Sequence, residues 1–141
     1  MVKKTFLAFS TTFICCCSNP IENVNECIDC QMEIYCNLPQ DETGTYFLQY
    51  NENMVQTFTS IYAETECGWS KRIAWDSNYK YRIGVDWVSL INPASMTTDD
   101  GKAQITCGVW REFIGYTITF YGGYMDDCEN HHVDSLKIKV I

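Results

Sequence analysis

Histidine is nearly absent from this 141-residue chain: there are two, adjacent at His131 and His132. Any imidazole base or imidazole metal ligand must therefore come from one short stretch. Neither a G-x-S-x-G elbow, an H-E-x-x-H helix motif, a phosphate-binding loop nor a dinucleotide fingerprint occurs, which removes the enzyme classes most readily read from sequence. Basic residues are scarce as well, 10 against 18 acidic, for a formal net charge of -8. That field repels polyanions, so nucleic acid is excluded as a partner. No apolar run reaches the roughly 18 residues of a membrane-spanning helix. No segment sustains a period of 3.6, so helices are not expected to build the fold.

What is present is enough apolar material for one core. The chain is 46% hydrophobic and 14% aromatic with 20% charged residues, which describes a globular domain and leaves little room for a second. Its first twenty residues, MVKKTFLAFSTTFICCCSNP, set two lysines ahead of ten apolar or small residues from Thr5 to Ile14. These are the charged and hydrophobic regions of an export signal. A ten-residue helix covers about half of the roughly 30 Å hydrocarbon core, so the segment does not span a bilayer.

Three successive cysteines, Cys15, Cys16 and Cys17, stand where an ordinary signal ends in small residues. The stretch resembles a bacterial lipoprotein signal, whose cleavage box runs from a branched aliphatic residue through two small ones to an obligatory cysteine. Cys17 fits that box, with Ile14 three residues before it and Ser18 after it. Cys15 would need Ile14 at a small site, and Cys16 would put Phe13 at the aliphatic site. The resemblance implies removal of residues 1–16, a diacylglycerol on Cys17, and a membrane partner reached through that lipid at the bacterial envelope. An ordinary signal peptide with incidental cysteines is the alternative. Loss of Lys3 and Lys4 leaves 8 basic against 18 acidic side chains in the mature chain.

Six cysteines follow Cys17: Cys27, Cys30, Cys36, Cys67, Cys107 and Cys128. An even number in an exported chain reads as a disulfide set whose pairing sequence cannot choose. Residues 17–41 hold three of them with Pro20 and Pro39, and read as a tether running into a cysteine-rich loop.

From residue 42 onward, short runs of β-branched and aromatic residues alternate with Gly, Asn and Asp. GTYFLQY and VQTFTSIYAE are two strands, the second with Phe58 and Tyr62 on one face against Val55 and Ile61 on the other. KRIAWDS is shorter, and YRIGVDWVSLI alternates Tyr81, Ile83, Val85 and Trp87 against Arg82, Gly84 and Asp86. QITCGVW aligns Ile105, Cys107 and Val109. YTITFYGGY aligns Tyr116, Ile118 and Phe120, and LKIKVI turns Leu136, Ile138 and Val140 inward. About seven antiparallel strands and no helix are the pattern of an all-β, immunoglobulin-like antiparallel β-sandwich over residues 42–141. The connection TTDDGKAQI, with its turn at Asp99, Asp100 and Gly101, resembles a hairpin of bacterial immunoglobulin-like domains over eight residues. The stretch from Trp75 to the DSLKIKV ending is also similar to exported bacterial proteins of uncharacterised activity.

Three sites carry chemistry worth weighing. Cys27-x-x-Cys30 lacks the βαβ surroundings of a redox dithiol. Zinc held by Cys27, Cys30, Cys128 and His131 competes with oxidation of the same thiols, and oxidation is expected to win in an exported protein. The polar run MDDCENHHVD, residues 125–134, offers Asp126, Asp127, Glu129, Asn130, His131, His132 and Asp134 to a cation, but its spacing is not that of a calcium loop. It reads as the connector between the last two strands. No catalytic residue, metal or cofactor is expected. Trp69, Trp75, Trp87 and Trp110 read mostly as core. The reading is therefore a non-catalytic module that binds a protein or glycan, displayed at the envelope by its lipid. A small metal-dependent or hydrolytic enzyme using residues 125–134 is the competitor. Exposed aromatics on a flat face would favour the first; a histidine and carboxylates opening on a pocket would favour the second.

Overall fold

The computed structural model describes residues 30–66, 71–79, 89–91 and 94–141. They form a two-sheet β-sandwich. One sheet has the order β1-β3-β7-β5, from Met32–Cys36, Gln56–Thr65, Lys102–Trp110 and Ser89–Ile91. The other has the order β2-β9-β8-β4-β6, from Thr45–Leu48, His131–Val140, Thr117–Met125, Arg72–Ser77 and Ala94–Met96. A 3-10 turn at Arg111–Phe113 is the one helical element among the described residues. The immunoglobulin-like sandwich expected from the strand pattern is the fold.

Period-2 patterning sets which side of each strand is buried. Ile61 and Ala63 on β3, Ile105, Cys107 and Val109 on β7, Ile118 and Phe120 on β8, and Leu136, Ile138 and Val140 on β9 all point between the sheets and are buried. Trp75 of β4 is the largest inward side chain. Its ring passes over Gly122, its cross-strand neighbour on β8, where an added Cβ would come within 3.1 Å of the indole. The indole N–H donates to Ser95 Oγ at 2.8 Å, which fastens β6 to β4.

Several details differ from the sequence reading. Nine strands are described rather than seven. The lead-in segment is not all loop, because its MEIYC run alternates and buries Ile34 and Cys36 as β1, paired antiparallel with β3. The short run ASM forms β6, paired antiparallel with β4. The strands are not all antiparallel, since β2 runs parallel to β9, Thr45 opposite Lys137 through Leu48 opposite Val140. Tyr116 does not join Ile118 and Phe120 in the core. It precedes β8, half-exposed, in an edge-to-face trio with Tyr79 and Phe113. The alternation of residues 81–87, and Trp69, lie outside the described residues.

Two sheet edges are covered from within. Asp134 Oδ2 on β9 accepts the outward Ile34 N–H of β1 at 2.8 Å. Pro39 O accepts the Phe47 N–H of β2 at 2.8 Å. Each occupies a backbone donor that would otherwise offer itself to another strand.

Candidate functional site

The histidine-containing run resolves into a tight hairpin. β8 ends at Met125, β9 begins at His131, and residues 126–130 turn between them, with Glu129 in the left-handed region at φ 64. Asp126 organises the turn. Its Oδ1 accepts the N–H groups of Cys128 at 2.9 Å and Asn130 at 2.8 Å, and its Oδ2 accepts Asn130 Nδ2 at 3.2 Å. The same Oδ2 lies 2.8 Å from His132 Nε2. The His132 bond first, then the turn donors, hold the Asp126 carboxyl well below the ordinary carboxylate range. It is therefore ionised and acceptor-only, so Nε2 must carry the hydrogen it donates. The ring of His132 lies flat on Tyr124, centroids 4.9 Å apart at 17°. Tyr124 Oη donates to Cys30 O at 2.9 Å and accepts from Thr65 Oγ1 at 3.4 Å. The histidine does meet a carboxylate, but every group in the chain of contacts serves a neighbour within the fold. His131 is exposed at the head of β9, and Asp127 is ion-paired with Lys71 at 2.9 Å.

Two disulfide candidates require correction. Cys36 and Cys107 are free, buried thiols. Both lie on the inward face of the same sheet with β3 between them. Two strand spacings separate their backbones by about 10 Å, beyond the ~7 Å that a disulfide can bridge. Burial pushes the Cys107 thiol up to about 12 and raises that of Cys36 as well. Cys30 and Cys128 are disulfide-bonded and so are not zinc ligands. Cys17, Cys27 and Cys67 lie outside the described residues. Among the described residues no group of three or more His, Cys, Asp or Glu side chains is placed to hold a metal ion.

The outward face of the β1-β3-β7-β5 sheet is a different kind of surface. Cross-strand partners place Tyr35 beside Tyr62, and their rings stack with centroids 5.5 Å apart at 23°. Two rows along β3, Phe58 is 45% exposed and lies across Gly108 of β7, where a Cβ would meet its ring at 2.7 Å. Ile91 on β5 is 48% exposed opposite Thr106. Between and beside these apolar groups stand Ser60, Gln104 and Thr106, and no charged side chain interrupts the rows from Phe58 to Tyr62. Trp110 closes the far end with its indole N–H buried and without a hydrogen-bond partner among the described residues.

Charge enters at the other end of that face. Glu33 sits directly opposite Glu64, a like-charged cross-strand pair, an arrangement that destabilises a sheet by itself. The two border an open groove of about 720 Å³ that also takes in Glu66, Asp99 and Asp100. The sequence reading had no signal for this face, because it depends on which strands lie side by side.

No family model matches the chain, and no curated protein matches it. Among solved structures it is similar to the ASH / PapD-like domain of human CEP192 (PapD-like domain 7). That match has a TM-score of 0.57 at 9% identity and covers 96% of each chain. At that identity the likeness is one of fold, and it extends over nearly all of both chains.

Proposed function

We propose that this chain is a non-catalytic binding module of immunoglobulin-like fold, held at a bacterial cell envelope by a lipid on Cys17. The observation that carries the binding reading is the outward face of Tyr35, Tyr62, Phe58 and Ile91, four apolar side chains in adjacent rows of one sheet with hydroxyl and amide groups between them. Rings presented this way stack on the apolar faces of sugars or on the side chains of a protein, and they lose little conformational entropy in doing so. The similarity to a whole PapD-like domain supports a module of this general kind. The enzyme alternative is weakened by the use to which Asp126 and His132 are put, since both are consumed by the turn and by Tyr124.

The lipid reading rests on Ile14, the run of cysteines and Ser18. Labelling cells with a fatty-acid analogue tests it: label is expected on the wild type and absent from Cys17→Ala, which should leave the membrane fraction. Retention of label and location by that variant sinks the anchor. For the module, mature protein in detergent is applied to immobilised envelope glycan and to envelope proteins. Tyr62→Ala and Phe58→Ala are expected to lose about tenfold or more in retention, as central aromatic anchors do, with an unchanged circular dichroism spectrum. Undiminished retention, or a hydrolytic activity abolished by His132→Ala, would overturn the reading.

A further inference from the structure

The opposite face of the sandwich, on the β2-β9-β8-β4-β6 sheet, is patterned as a counterpart to the aromatic one. Lys137 and Lys139 project from β9 at one end, beside Thr119 and Thr117. Next along the sheet comes the half-exposed Tyr121 beside Asp76 of β4, then Val133, 69% exposed, over the small residues Gly123 and Ala74. Met125, 56% exposed, ends the sequence opposite His131. The first face runs in the order Glu33 and Glu64 with Lys102 beside them, Lys102 being paired with Asp100 at 3.7 Å, then Tyr35 and Tyr62, then Phe58. Six residues of strand separate Glu64 from Phe58, and six separate Lys137 from His131, which is about 20 Å in each case. Acid therefore meets base, tyrosine meets tyrosine, and Phe58 meets Val133 and Met125 when the faces are laid together.

We infer that the aromatic face of one molecule docks on the basic-apolar face of a second copy of this chain, in a head-to-tail contact. The argument is charge complementarity: the chain is acidic as a whole, and one face ends in the groove lined by Glu33, Glu64, Glu66, Asp99 and Asp100, which outnumber the Lys102 beside Glu64, whereas the other face ends in Lys137 and Lys139. It rests on the binding-module reading and names that module's partner. It does not depend on the lipid. A contact made by two different patches leaves one of each free, so the product is a head-to-tail run of molecules, an open chain unless its rotation closes it into a ring, and not a two-fold dimer. The patch is small. Four strands at ~4.8 Å spacing and ~20 Å of length cover about 300 Å² in projection, well under the roughly 800 Å² per partner of a standard interface. Contact between molecules free in solution is accordingly weak, and a common surface that concentrates them would strengthen it.

Charge exchange tests the inference on the full mature chain at physiological ionic strength, by sedimentation velocity over a concentration series. Wild type is expected to show a weight-average sedimentation coefficient that rises with concentration. Glu33→Lys with Glu64→Lys, and separately Lys137→Glu with Lys139→Glu, are each expected to weaken association about tenfold or more, as mismatched charges do at a contact. An equal mixture of the two variants restores opposite charges across the contact and is expected to return to within about threefold of wild type. Gly108→Val, which displaces the Phe58 ring without altering charge, weakens association in the wild-type background. Melting curves establish that each variant is folded. A wild type that stays monomeric throughout, or variants whose mixture does not recover, overturns the inference. A monomeric wild type that still binds envelope glycan through Tyr62 and Phe58 overturns it while leaving the module reading intact. Loss of both kinds of binding removes the two together.

Discussion

Single side chains in this protein differ sharply in what they hold together, and the two indoles among the described residues make the contrast. Trp75 is packed between the sheets with its N–H bonded to Ser95. Truncation to Ala leaves a large void, with an expected loss of about 3–5 kcal/mol in denaturant unfolding. Trp110 buries an N–H with no acceptor among the described residues. A buried donor left unmade costs roughly 1–3 kcal/mol, so Trp110→Phe, which removes the donor and keeps a ring, is expected to change stability by less than about 1 kcal/mol. A drop comparable to that of Trp75→Ala would show that the indole nitrogen is bonded. The free thiols give a second test at this scale. Cys107 is buried with its thiol raised to about 12, and Cys36 is buried on the same face with β3 between them. Both are expected to resist a thiol reagent in the folded protein and to react once denaturant opens the sandwich. Modification of either one in native buffer, located by mass spectrometry, would contradict that placement.

Turns and strands depend on residues whose effect is local and whose consequence is registry. In the hairpin from β8 to β9, the Asp126 carboxylate gathers donors from Cys128, Asn130 and His132. Its folded pKa is depressed, so its contribution to stability is complete above the ordinary carboxylate value of about 4 and is lost as pH falls through the folded value. Melting temperature is expected to decline below about pH 4 in the wild type. Asp126→Ala should lower the melting temperature at neutral pH and flatten this part of the acid limb, while Asp127→Ala, on a side chain 90% exposed, does neither. Equal acid limbs in wild type and Asp126→Ala would assign the decline to other groups. Along the same hairpin, Gly122 leaves room for Trp75 and Ile34, each within about 3 Å of a would-be Cβ. Overpacking of that kind costs about 1–3 kcal/mol, which is the loss expected for Gly122→Ala. A neutral result would mean that the indole and Ile34 shift freely.

At the scale of the whole molecule, β9 is the element the fold depends on most. It pairs antiparallel with β8 and parallel with β2, and supplies Leu136, Ile138 and Val140 to the core. The parallel pairing sets Thr45 opposite Lys137, and pairings so distant in sequence fold slowly, in milliseconds to seconds. Removal of residues 131–141 is expected to abolish the cooperative unfolding transition, not merely to weaken it. A truncated chain that keeps a sharp thermal transition and a β-rich spectrum would refute this. The same topology places the two outward faces on opposite sides of a thin sandwich, so docking on one leaves the other free, which is what an open head-to-tail array requires.

Alternation alone was enough to determine the all-β fold, because a half-buried strand must repeat every two residues whatever its neighbours are. Phe58 and Tyr62 against Ile61, and Leu136, Ile138 and Val140 against Lys137 and Lys139, lie on the faces their parity predicts. The turn at Asp99, Asp100 and Gly101 was legible for a similar local reason, since its backbone needs the glycine at φ 76. Strand β1 was obscured by its place in a cysteine-rich segment, and β6 by being only three residues long. Parity also says nothing about which strand lies beside which. Only the tertiary structure could pair β2 with β9 in parallel, separate Cys36 from Cys107 by an intervening strand, and draw His132 onto Asp126. Only it could bring Tyr35 against Tyr62 and Glu33 against Glu64 from segments far apart in the chain. A surface is a property of neighbouring strands, and neighbours are chosen by the packing of the whole sandwich, not by any one strand's sequence.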